Sequence, residues 1–191
     1  SGNAAKVVES FGDQTVIFLP DEYLARNVAS ETGKHIIFPT RTPRAGDDIL
    51  DYQLVGWEGR CEVHEKFTLE DIENVRRQYP DVVVLAHPEC SPEVCDASDF
   101  SGSTSAMVRY VRDTKAPRYL LLTECSMGDN IAAANHDKEM LRLCSIRCPH
   151  MQEITLEDTL ASLQQTRYQV DLDEELRLRA LSAVERMLTI G

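Results

Sequence analysis

"DVVVLAH", residues 81–87, holds an unbroken apolar run from Val82 to Ala86 between an aspartate and a histidine. A run this short and this rich in valine has no polar face. It predicts a strand buried on both sides, as in parallel sheets, where polar and apolar residues no longer alternate. "QTVIFLP" (14–20), "KHIIFP" (34–39) and "PRYLLLTE" (117–124) have the same character. Helical patterns lie between these runs. "DEYLARNVASETG" (21–33) opens on Asp21 and closes on Gly33, and "TLEDIENVRRQYP" (68–80) begins with Thr68 and carries Asp71 three residues on. "STSAMVRYVRDT" (103–114) begins with hydroxyls. Each has the signature of a capped helix. Strand alternating with helix predicts an α/β architecture with parallel sheets.

The tail predicts two further helices, "TLEDTLASLQQT" (155–166) and "DLDEELRLRALSAVERMLTI" (171–190). The second carries an apolar stripe through Leu176, Leu178, Leu181, Val184 and Leu188, the pattern of a helix docked on a core. The Thr-Leu-Glu-Asp start shared by residues 68–71 and 155–158 reads as a repeated helix cap rather than an internal repeat. "RTPRAGDDILDYQLVGWEG" (41–59) reads as a long excursion between a strand and the next helix, and long ordered loops in compact domains are often functional.

A chain of 191 residues is long enough for one large or two small domains with cores of their own. Twenty basic residues against 32 acidic ones give a net charge of −12, which repels phosphate backbones and anionic membranes and argues against both as partners. No stretch approaches the ~18–20 apolar residues of a membrane span, and "SGNAAKVVES" lacks the regions of a signal peptide. A cytoplasmic protein is expected. Six cysteines are few for a disulfide scaffold of this size, so reduced thiols are expected too.

The chemistry-bearing residues gather after the strand at 81–87. His87 ends that strand, at the sheet edge where α/β enzymes place their ligands, and Glu89 follows two residues on. Such a pair can exchange protons with a bound substrate, since a site shielded from water brings both groups toward neutral pKa values. A lone structural histidine is the plainer alternative. "GSTSAM" (102–107) suits anion binding at a helix N-terminus, with Gly102 allowing a tight turn and Ser103 and Thr104 offering hydroxyls; a simple serine or threonine cap is the competing reading. His64 reads as a loop or packing residue. The cysteines offer Cys144-x3-Cys148, with Pro149 after Cys148, and singles at Cys61, Cys90, Cys95 and Cys125. No Cys-x2-Cys pair occurs, which weakens a zinc-ribbon reading, while a Cys-Pro step is common at iron–sulfur sites. Spacing alone does not choose the ligands.

"GWEGRCEVHEKFTLEDI", "VVLAHPECSPEV", "DFSGSTSAMVRYV", "YLLLTECSMGDN" and "CPHMQEITLEDTL" follow one another in an order that resembles quinolinate synthase, the iron–sulfur enzyme of de novo NAD (pyridine nucleotide) biosynthesis. The resemblance runs from the first residues to the last helix. It implies a fold of repeated three-layer α/β/α domains with parallel sheets, three in the family about a pseudo-threefold axis. Two of them are expected here: the second domain at 1–65, without its first strand, and the third at 66–191 with the C-terminal helices. The family's N-terminal domain is expected to be missing.

The resemblance also implies a transferase reaction and a site. Iminoaspartate condenses with dihydroxyacetone phosphate, phosphate and water are lost, and a pyridine ring closes to quinolinate. A [4Fe-4S] cluster acts as Lewis acid through an iron left without a protein ligand. His87 and Glu89 match the family's substrate-binding and acid–base pair, and Ser103 and Thr104 its substrate-anion contacts. "SGNA" fits a Thr-Ser-x-Asn-Ala turn that makes Ser1 a further substrate contact; a vector scar is the other reading of those residues. Cys61 and Cys148 match two cluster ligands, and the third lies upstream of this chain, so the fragment alone is expected to be inactive. Trp57 either shields the cluster or packs the loop. Two alternatives stand beside this reading. One is a non-catalytic zinc module on Cys61, Cys144, Cys148 and His150, and the other is a phosphosugar- or carboxylate-binding domain with incidental cysteines.

Overall fold

The computed structural model describes residues 2–39, 52–143 and 145–190 of the chain. These fall into two compact units, residues 1–147 and 148–191. The first unit holds, in order, α1 (Ala4–Glu9), β1 (Val16–Ile17), α2 (Glu22–Thr32), β2 (Ile36–Ile37), β3 (Leu54–Val55), α3 (Leu69–Gln78), β4 (Val83–Ala86), α4 (Pro92–Ala97), β5 (Phe100–Ser101), α5 (Thr104–Asp113), β6 (Arg118–Leu122), α6 (Cys125–Ala134) and β7 (Glu139–Arg142). The second holds α7 (Leu156–Gln165) and α8 (Glu174–Ile190).

The strands form two parallel sheets, ordered β1-β3-β2 and β5-β4-β6-β7. Helices flank both, so the α/β class follows from the alternation as expected. β4 and β6 are the paired centre of the larger sheet, in register from Val83 against Tyr119 to Ala86 against Leu122. Both strands are buried on both faces, which is why their sequences run apolar without a break. Leu85, Tyr119 and Leu121 pack with Met107 and Val111 of α5, Ile131 of α6 and Met140 of β7. Tyr119 is wholly buried, and its hydroxyl is satisfied by Thr114 Oγ1 at 2.7 Å and by the Ala116 N–H at 3.1 Å. A smaller core joins Val8 of α1, Leu24, Val28 and Ala29 of α2, and Leu54 of β3.

The helix ends follow the residues that mark them. Asp21 accepts the Leu24 N–H at 2.7 Å as N-cap of α2, and Gly33 ends that helix at φ 66°, where a side chain would be strained. Thr68 and Asp71 form a reciprocal capping box on α3, as Thr155 and Asp158 do on α7. The shared Thr-Leu-Glu-Asp start is therefore two caps.

Three expectations change. The excursion at 41–59 is not loop throughout, since Leu54 and Val55 are the middle strand of the smaller sheet; residues 40–51 lie outside the described residues. Their short apolar run was masked by the polar residues before it. Cys125 is disulfide-bonded, against the expectation of reduced thiols. The α8 stripe predicted to dock on a core is uncovered within its own unit, with Leu176, Leu178, Leu181, Val184 and Leu188 exposed by 39–69%. Among the described residues no helix is long and apolar enough to cross a membrane.

Candidate functional site

The carboxyl ends of β4 and β6 lie side by side, and the chain delivers His87 from one and Thr123 from the other. The His87 N–H donates to the Leu122 carbonyl at 3.2 Å, which carries the strand pairing one residue past β4. The segment from Gly59 to His64 comes over this edge from the smaller sheet. It is anchored at α2, where the Glu22 N–H donates to the Gly59 carbonyl at 2.7 Å and Asp21 Oδ2 accepts the Cys61 N–H at 2.9 Å. One buried aspartate thus caps a helix with one oxygen and fixes Cys61 with the other. Burial raises the Asp21 carboxyl, with the two backbone hydrogen bonds opposing that shift.

His64 lies at the centre of the site, not on a loop surface. It is 8% exposed. Its Nδ1 is 3.1 Å from Cys61 Sγ and 3.1 Å from Glu89 Oε2, and its Nε2 is 3.0 Å from Thr123 Oγ1. Its ring stacks on that of His87 with centroids 4.3 Å apart. Glu89 Oε2 also faces His87 Nδ1 at 3.8 Å, a Coulombic contact too long for a hydrogen bond. The structure places Cys61, His87 and Glu89 around His64, with Thr123 on the far nitrogen of that ring.

The surroundings decide the charge states. The hydrogen bond from His64 holds the Glu89 carboxyl below its ordinary value, against the opposing effect of burial. Burial, and then the neighbouring His64, pull the His87 imidazole down to about 4. At neutral pH the site holds a carboxylate beside a neutral imidazole. Burial raises the thiol of Cys61.

The turn between His87 and Glu89 is clamped from α2. Asn27 Nδ2 donates to the Pro88 carbonyl at 2.7 Å and to the Cys90 carbonyl at 3.0 Å, the carbonyls of the two residues that flank Glu89. Cys90 is sealed at 0% exposure with its thiol turned to the Leu122 carbonyl, and burial drives its pKa far up. Cys95 is half-buried and donates weakly to the carbonyls of His87 and Cys90.

Ser103 caps α5, its Oγ accepting the Ala106 N–H at 3.3 Å, and Thr104 is exposed in the first turn. Ser103 borders a cleft of about 440 Å³ between α1, α2 and α5, whose lining includes Gly2, Asn3, Asn27, Pro88 and Gly102 but not Thr104. Gly2 approaches so closely that a Cβ there would lie 3.3 Å from Ser103 Oγ. Neither His87 nor Glu89 lines this cleft, though Pro88 between them does. Cys148 is a free, half-buried thiol at the start of the second unit. Ser1 and Cys144 lie outside the described residues. Trp57 is 60% exposed.

A protein-family model described as quinolinate synthetase A protein matches residues 1–189. The chain is 48% identical over 190 residues to a quinolinate synthase of Agrobacterium fabrum, covering all of this chain and 50% of that protein. It is 47% identical over 190 residues to quinolinate synthase 2 of Mesorhizobium japonicum, covering all of this chain and 53% of that protein. A quinolinate synthase of Caulobacter vibrioides is 40% identical over 194 residues, with 48% of its length covered. The chain spans about half the length of the curated relatives it matches.

Proposed function

The chain belongs to the quinolinate synthetase A family, and on that premise we propose that it is the part of a cytoplasmic quinolinate synthase carrying that enzyme's acid–base pair and two of its three cluster cysteines. The reaction is the condensation of iminoaspartate with dihydroxyacetone phosphate, with loss of phosphate and water and closure of the ring. The observation that carries this reading is the meeting of Cys61, His64, His87 and Glu89 at the carboxyl edge of β4 and β6. That edge is where parallel α/β folds assemble sites.

In this reading Glu89, ionised and oriented by His64, takes protons from substrate as the new bonds form. The neutral His87 imidazole lies beside it to bind substrate and to pass protons on. Asn27 fixes the turn that carries both. Ser103 and Thr104 bind a phosphate or carboxylate through the free N–H groups of α5 and their own hydroxyls. The Ser103 hydroxyl can donate to an anion while its oxygen accepts the Ala106 N–H. Ser1 is a further contact in this reading.

A [4Fe-4S] cluster would be held by Cys61, Cys148 and a third cysteine from the rest of the enzyme. When bound it supplies Lewis acidity that eases the loss of water. The thiols present fit this choice. Cys61 and Cys148 are free and reachable from solvent, as Cys95 also is, whereas Cys90 is sealed and Cys125 is disulfide-bonded. The division into a second domain at 1–65 and a third at 66–191 is supported by the sheets, whose strands lie within 16–55 and 83–142 respectively.

The test is anaerobic reconstitution of the complete enzyme with iron and sulfide. Cys61→Ser and Cys148→Ser are each expected to abolish the ~400 nm absorbance of thiolate-ligated iron, while Cys90→Ala keeps it. Loss of the absorbance in Cys90→Ala with the fold intact overturns the assignment. This chain alone is expected to lose its iron on anaerobic gel filtration.

A further inference from the structure

Both halves of the site are tied to one helix. α2 rests on the smaller sheet through Leu24, Val28 and Ala29, which pack with Leu54 of β3. Its N-cap reaches Cys61, since Asp21 accepts the Cys61 N–H at 2.9 Å. Its second turn reaches the chain after β4, where Asn27 donates to the carbonyls of Pro88 and Cys90. We propose that α2 sets the separation between the Cys61 thiol and the His87–Glu89 pair, with Asp21 and Asn27 as its two positioning residues. The proposal deepens the synthase reading and rests on it for the role of Cys61 as a cluster ligand. A helix rises about 1.5 Å per residue and does not stretch, so the step from Asp21 to Asn27 is a fixed spacer of about 9 Å along the axis.

Capping alone does not call for an aspartate at the start of α2. A serine hydroxyl caps about as well, and a carboxylate at 6% exposure is costly to bury unless both oxygens have donors. Oδ1 takes the Leu24 N–H and Oδ2 the Cys61 N–H, so the contact with Cys61 is what the carboxylate adds over a hydroxyl. Neighbouring contacts hold the same two segments together. The Glu22 N–H donates to the Gly59 carbonyl at 2.7 Å, and Asp21 pairs with Gly59 in a parallel bridge. A Cβ on Gly59 would lie 2.5 Å from the Pro20 carbonyl oxygen, so the approach needs glycine. Glu22 also meets Arg60 at 3.0 Å, but the Arg60 side chain is 44% exposed, and such a pair is screened by water. The buried Asp21 contact carries the greater weight.

At the other end, the Asn27 amide fixes the backbone on both sides of Glu89. The contacts of His64 Nδ1 with Cys61 Sγ and with Glu89 Oε2, both 3.1 Å, require the two backbones to meet at the right distance. α2 supplies that distance from outside the site.

The experiment follows hydrogen exchange at single amides of the 191-residue chain by NMR, with iron retention and kinetics of the complete enzyme beside it. Asp21→Ser is expected to speed exchange at Cys61 by ~10- to 100-fold, the scale of a hydrogen bond to a charged group, while Leu24 and Cys90 exchange as in the parent. Asn27→Ala is expected to speed exchange at Cys90, whose N–H donates to the His87 carbonyl at 2.8 Å, and to leave Leu24 and Cys61 as they are. Gly59→Ala changes neither positioning residue; it is expected to free Cys61 as Asp21→Ser does, and it serves if that variant unfolds. In the complete enzyme, Asp21→Ser is expected to lower the chelator concentration that strips half the iron by about 10- to 100-fold, the usual effect of losing an orienting contact. Asn27→Ala is expected to hold iron as the parent does and to lower kcat more than it raises KM. The proposal is overturned if folded Asp21→Ser shows parental exchange at Cys61, if Asn27→Ala leaves Cys90 and kcat unchanged, or if Asp21→Ser keeps its iron as the parent does while Cys61→Ser loses it. A cluster that survives in Cys61→Ser overturns the ligand assignment, whereas the amide exchange, measured without iron, judges α2 by itself.

Discussion

The imidazole rings of His64 and His87 lie one on the other, with centroids 4.3 Å apart and planes inclined by 19°. Both are buried, and two stacked imidazoles cannot both carry charge at this separation without strong repulsion. Glu89 is the anion that faces both, at 3.1 Å from His64 and 3.8 Å from His87. The closer contact goes to His64, and burial keeps the His87 ring neutral.

That arrangement makes stability depend on pH. The His87 imidazole titrates near 4 when folded, against about 6.5 for a free histidine. Between those values the unfolded chain takes up a proton that the folded chain refuses. Stability is therefore full above pH 6.5 and falls as the pH drops toward 4, by at most about 1.4 kcal/mol per pH unit from this group. Glu89, with its lowered value, adds to the loss only below its ordinary pKa of 4.5. Thermal melts from pH 7.5 to 4.5 are expected to show a smaller decline in His87→Gln than in the parent. Parallel declines would place the histidine's protonation elsewhere.

Asn27 holds the turn that carries His87 and Glu89 by donating to two carbonyls. Asn27→Ala is expected to lose about 1–3 kcal/mol, since each carbonyl gives up its partner in a part-buried place. Asn27→Asp is expected to be worse than Asn27→Ala, because a carboxylate cannot donate and would face two carbonyl oxygens. Chemical denaturation of the pair reads the order directly, and equal stabilities would show that the turn does not rely on this amide.

The anion contact proposed for Thr104, an exposed residue, predicts a separation of effects. Thr104→Val removes a hydroxyl from the first turn of α5 without touching the core, so the melting temperature is expected to stay within a few degrees. In the complete enzyme the same change is expected to raise KM for dihydroxyacetone phosphate or iminoaspartate more than it lowers kcat. An unchanged KM for both would remove Thr104 from the site.

Much of this was legible in the chain. The strands at 83–86 and 118–122 are unbroken apolar runs, and the caps at Asp21, Thr68, Ser103 and Thr155 fall where their side chains can accept an N–H. β5 and β7 were not visible, because edge strands of two and four residues carry too few apolar positions to stand out. At the site, strand-edge reasoning found His87 but was not carried to Thr123, which follows β6 in the same way. His64 was missed since a histidine in a polar loop has no periodicity. Its one signal was the Cys61-x2-His64 spacing in "RCEVH", where a short turn brings both side chains to one point. Asn27 offered none, because its partners lie 61 and 63 residues away.

The most direct measurement is quinolinate formation from iminoaspartate and dihydroxyacetone phosphate by the complete, reconstituted enzyme carrying His87→Ala or Glu89→Gln. If the edge of β4 is the seat of proton transfer, each change is expected to lower kcat by ~100-fold or more while the cluster absorbance stays at the parent's level. Near-normal turnover in both variants, with the cluster intact, would contradict the account.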